Sequence, residues 1–116
     1  MKTRPKLLSL FIIALTQFTL LAQEPAAVID AAKFKTLQAA LDAVPAGGAL
    51  VKLPPGKFEL TQPLQVHTED TRLEGAGTAT HLVNKNEEGQ PALILRAKDY
   101  AKSKKKLWRI QLGNFR

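Results

Sequence analysis

The chain has no cysteine, one methionine, one tryptophan, one tyrosine and two histidines in 116 residues. The missing cysteines exclude disulfide staples and thiolate metal sites together. Two histidines leave little for a metal centre, which needs three or four ligands converging at fixed distance. After residue 22 no apolar run is long enough to span a bilayer. Small exported domains usually rely on disulfides or metals. Without them, stability must come from packing or from more chain than is present here.

The N terminus reads as an export signal. Lys2, Arg4 and Lys6 form a basic stretch, and Leu7 to Ala22 is apolar except for Ser9, Thr16, Gln17 and Thr19. Gln23, Glu24 and Pro25 end the run. This is the pattern of a secretory signal peptide over 1–22, cut after Ala22, and it implies a secreted or periplasmic product. The formal charge of +7 then falls to +4, because 14 Lys and Arg face ten acids after the signal. Four of those cations are Lys102, Lys104, Lys105 and Lys106, a run without aromatic interleaving that reads as a solvated loop and not a nucleic-acid site.

Residues 23–33 read as a linker with a short first strand at Val28 and Ile29. A helix is expected from Thr36. Its hydroxyl can accept from the first-turn amides, and Leu37, Ala40, Leu41 and Val44 make one apolar face. Phe34 precedes the cap as a hydrophobic staple, and Pro45 stops the helix. Short strands are expected at 49–53, 57–60, 64–67, 71–74, 81–84, 92–96 and 107–112, each ended by Pro, Gly or a polar turn. Leu53, Glu74 and Leu95 lie 21 residues apart, a spacing that fits one circuit of a solenoid. No hairpin dipeptide stands between the strands.

The order of TLQAALDA (36–43), LPPGKF (53–58), Leu64 and LEGAG (73–77) resembles the N-terminal region of the pectate-lyase-like superfamily. The resemblance covers residues 28–96. It implies an all-β fold, a right-handed parallel β-helix. The helix would cap its starting end, as terminal units do in solenoids, and 34–116 would form the cap and first coils of a truncated stack. It also implies a parent protein that acts on or binds polysaccharide as a lyase, hydrolase or esterase. The catalytic and calcium-binding positions of that family fall on later coils and have no counterpart in this sequence.

Candidate chemistry is sparse. His67 with Glu69 and Asp70 falls at a strand end and turn, where polar residues are expected in any case. Glu69 and Asp70, with Glu74 further on, offer too few oxygens for calcium. Glu87 and Glu88 lie in a polar loop with Asn84 and Asn86, and Asn84 suits an internal side-chain ladder. His81 stands alone. LEGAG lacks the Lys and Ser/Thr of a phosphate loop. Trp108 and Arg109 can stack on a sugar, although a half-buried structural aromatic fits the strand pattern better. No catalytic, cofactor-binding or metal-ligating residue is therefore assigned. The expectation is a catalytically silent protein, with a small secreted binding or structural β-protein as the alternative. Polysaccharide, or self-association through the uncapped end (Leu107, Trp108, Ile110, Leu112), would be its partner.

Overall fold

The computed structural model describes residues 27–116. The signal peptide expected over 1–22 and the start of the linker lie outside them. The first strand, β1 (Val28–Asp30), runs into a 3-10 turn at Ala31–Lys33 that Asp30 caps by accepting from the Ala32 amide at 3.0 Å. Helix α1 (Leu37–Asp42) starts as its cap dictates. Thr36 is extended, and its Oγ1 accepts from the Ala39 amide at 3.0 Å, satisfying one of the first-turn donors that no helix can pair internally. Ala40 and Leu41 are buried on the inner face. The helix ends ahead of Pro45, whose carbonyl accepts from Gly48 to close the turn.

Seven further strands follow: β2 (Leu50–Lys52), β3 (Gly56–Leu60), β4 (Leu64–Val66), β5 (Arg72–Glu74), β6 (Thr80–Asn84), β7 (Leu93–Leu95) and β8 (Gln111–Gly113). A four-residue helix, α2 (Tyr100–Ser103), precedes β8. Every strand pairing among the described residues is parallel, in three separate sheets: β1-β2-β5-β8, β3-β6 and β4-β7. The apolar column Ile29, Val51, Leu73 and Leu112 lies in register across the first sheet. Val51 and Leu73 are fully buried and pack with Leu53, Leu60, Leu64, Val66, Ala40 and Leu41 into one core. Two buried hydroxyls are satisfied locally. Thr71 donates to the Thr68 carbonyl, and Thr80 bridges the Ala76 amide and the Pro54 carbonyl.

This architecture corrects the fold expected from sequence. The protein is a small α/β structure with several small parallel sheets, not an all-β, right-handed β-helix solenoid. Two of the sheets have only two strands, and helices contribute to the described residues. The circuits are also unequal. Leu50 and Arg72, paired partners in the first sheet, are 22 residues apart, whereas Arg72 and Gln111 are 39 apart. The 21-residue column of Leu53, Glu74 and Leu95 does not exist. Glu74 pairs with Lys52, and Leu95 pairs with Val66 in a different sheet. The last strand is shorter than expected because Arg109 has a φ of 57°, a left-handed conformation that interrupts an extended run.

Candidate functional site

The first sheet is entered through a column of left-handed residues. Gly48, Asp70 and Arg109 each stand two positions ahead of a strand (β2, β5 and β8), with φ of 86°, 60° and 57°. The Asp70 amide donates to the Trp108 carbonyl at 3.0 Å. The Arg109 guanidinium grips the Asp70 carboxylate through Nε to Oδ1 and through Nη2 to Oδ2, the latter at 2.9 Å. Hydrogen bonding from Arg109 is the main reason the Asp70 carboxyl is held below the usual range; slight desolvation opposes it and the guanidinium charge adds to it. Asp70 is therefore the structural partner of Arg109.

The other polar candidates do not converge. The His67 Nδ1 lies 3.1 Å from the Arg96 carbonyl, beside a cavity of about 270 Å³. His81 stands on another sheet, in register with Lys57. Among the described residues no three His, Asp or Glu side chains could hold a metal ion. Asn84 does not enter an internal ladder. It is exposed, donates to the Gln90 carbonyl and accepts from the Asn86 amide. Asn86 in turn bonds the Thr61 carbonyl and the Glu88 and Gln90 amides. Asn86 and Gln90 line a polar groove of about 470 Å³ beside the Thr61–Pro63 turn, and the Asn86 amide is already engaged.

Each sheet among the described residues ends in two outer strands, β1 and β8, β3 and β6, and β4 and β7, and one of these, β4, is covered by a side chain. On one side, Gln38 of α1 lays its amide along β4. Its Oε1 accepts from the Gln65 amide at 2.8 Å, and its Nε2 donates to the Gln65 carbonyl at 3.1 Å. A side chain thus does what a neighbouring strand would do, and the edge is closed to further pairing. On the other side, β7 and β8 end their sheets. Ala92 and Arg96 bond β4, and Gln111 and Gly113 bond the β5 segment. By alternation, the N–H and C=O of Leu93, Leu95 and Leu112 point away from the ladder. Among the described residues none of these three has a backbone partner on that side.

The same end exposes apolar side chains. Leu95 is 45% exposed, Leu112 42% and Trp108 62%. Trp108 is thus a surface residue and not the half-buried aromatic that its sequence neighbours imply. Leu107 and Ile110 are half-buried. The lysine loop is partly ordered by one ring, because the Arg96 Cζ and the Lys104 Nζ lie 5.7 and 5.4 Å from the Tyr100 centroid, within cation–π reach. Sequence reasoning named Leu112 and Trp108 at this end but missed Leu95 and Gln38. A glutamine on the polar face of a helix carries no sequence sign that it will seal a strand.

No family model and no curated protein matches the chain. A solved structure, ORF18 of Geobacillus virus E2, is similar, with a TM-score of 0.68 at 17% identity. The likeness covers 98% of this chain and 24% of that one, so the chain spans about a quarter of the viral protein's length. At this identity the likeness concerns the fold alone. It replaces the resemblance to the pectate-lyase-like superfamily, for which no structural or sequence match stands.

Proposed function

We propose that this chain is a non-catalytic structural or binding module. One observation carries the reading: the polar side chains of the described residues are taken up by one another and by the backbone, Asp70 by Arg109 and Asn84 and Asn86 within their own loop, and do not converge on a site.

Incubating the full chain with pectin and alginate tests the proposal, with no new chain ends expected; turnover would overturn it.

A further inference from the structure

The connection between β7 and β8, residues 96–110, is held differently from its flanks. Residues 98–106 are exposed throughout. Among the described residues, every backbone hydrogen bond made by 97–107 closes within that stretch: Tyr100 donates to Ala97, Lys102 and Ser103 to Asp99, and Lys104 to Tyr100. Helix α2 has four residues, too few to stand without tertiary support. Its C-cap, Lys104, has a φ of 55°, a conformation that a Cβ disfavours. The flanks are tied to the ladders instead. The Arg96 amide donates to the Val66 carbonyl, and the Trp108 carbonyl accepts from the Asp70 amide. Between them the connection is folded back alongside earlier levels. Ala97, Lys98 and Lys105 share a cavity of about 270 Å³ with Leu41 of α1 and with His67, which follows β4. Its exposed face thus belongs to the flank of the ladders and not to the outer edge of β8.

Residues 96–110 hold seven Lys and Arg against one acid, Asp99. We infer that the stretch from Lys104 to Leu107 is a processing site for an endoprotease with an acidic, lysine-accepting pocket. A protease takes its substrate extended, so a folded loop is cut at a rate set by its local opening. Opening this loop breaks only short-range hydrogen bonds, and exposed loop tips are where nicking concentrates. Successive lysines suit neighbouring subsites lined with carboxylates. The bond cut is the peptide C–N after Lys104, Lys105 or Lys106. Water adds across it, leaving a carboxylate on that lysine and an amine on the next residue. The main core is spared, since its buried residues run from Ala31 to Leu73 and all precede the loop.

Exposure alone does not make such a site. Glu87 and Glu88 are exposed as well, yet their loop is tied down. Asn86 donates to the Thr61 carbonyl, beyond the end of β3, and accepts from the Glu88 and Gln90 amides. Lys33 and Lys35 lie among two short elements capped by Asp30 and Thr36. Long-range tethering therefore separates the lysine loop from these other exposed positions.

The test treats the full chain with trypsin and, separately, with a Glu-specific protease. Cuts within residues 27–116 are mapped by mass spectrometry. Synthetic peptides 96–110 and 83–92 give the rates for each sequence without a fold. Trypsin should cut first between Lys104 and Leu107, within about tenfold of its rate on the free peptide. The Glu-specific protease should cut at Glu87 and Glu88 about a hundredfold or more slower than on its peptide. A first tryptic cut elsewhere in 27–116 would overturn the inference. So would a lysine-loop rate as far below its peptide as that of the Glu87–Glu88 loop. The nicked chain should keep amide protection at Val51 and Val66; its loss would make the cut the start of degradation and overturn a processing role. N86A should speed cutting at Glu87 and Glu88 by about tenfold. An unchanged rate in that variant would show that tethering does not select the lysine stretch, and the inference would fall.

Discussion

Arg109 stands directly over Asp70 in the ladder, and both residues take the left-handed conformation that Gly48 takes one level below. The column turns the chain into the first sheet at each level, and the ion pair fixes where β8 begins. Because both side chains are solvated, the pair acts on local order at the edge more than on global stability. Replacing Arg109 by Ala should therefore raise amide exchange in Gln111–Gly113 and leave Leu50–Lys52 unchanged. Equal effects on both strands would show that the pair is not local.

The same pair sets an acid response. Asp70 is held below its ordinary value in the fold. Its contribution is complete above the unfolded value, about 3.9, and is lost as pH falls through the lower folded value. Urea midpoints should thus fall more steeply below about pH 3.9 in the native chain than in D70N. Parallel curves for the two proteins would contradict this.

Gly48 and Gly47 are adjacent in sequence and opposite in tolerance. A Cβ on Gly48 would lie 2.2 Å from the Asp70 carbonyl oxygen, at a φ of 86°, whereas one on Gly47 meets nothing within 4 Å. G48A should cost about 1–3 kcal/mol from backbone strain alone, with the steric overlap adding to it. G47A should be near neutral. Denaturant titration of the two variants checks the contrast.

Core and edge leucines should likewise separate. Leu73 is fully buried, and L73A should destabilise by about 2–5 kcal/mol. L95A, at a position 45% exposed in the free chain, should change stability by about 0.5 kcal/mol or less. The comparison of urea midpoints would fail if the two losses were similar.

Gln38 ties α1 to the backbone of β4. Q38A removes both bonds to the Gln65 backbone, each worth about 1 kcal/mol in a typical setting. Exchange at Gln65 should rise sharply, while the helix, still capped by Thr36, should keep its ellipticity. Loss of helix in Q38A would show that the glutamine holds α1 rather than the strand.

Several local features were legible in advance. Thr36 caps α1, Pro45 ends it, and the short strands fall near the Pro and Gly residues that bound them. The absence of hairpin dipeptides agrees with the parallel pairing of every described ladder. The 21-residue period misled because parallel neighbours in different sheets are separated by different lengths of chain, and the circuit between β5 and β8 carries a long basic insertion with its own helix. The polar candidates His67, Glu69, Asp70 and His81 looked like the beginnings of a site only because sequence proximity does not show which of them face one another.

The linear sequence decided the elements themselves, since caps, proline stops, glycine turns and alternating apolar residues act within a few positions of the backbone. Which strand lies beside which, the left-handed column of Gly48, Asp70 and Arg109, and the sealing of β4 by Gln38 were decided only by tertiary structure. Each depends on groups brought together across 22 or more residues of chain, and no local preference encodes which of many distant partners a backbone amide will meet.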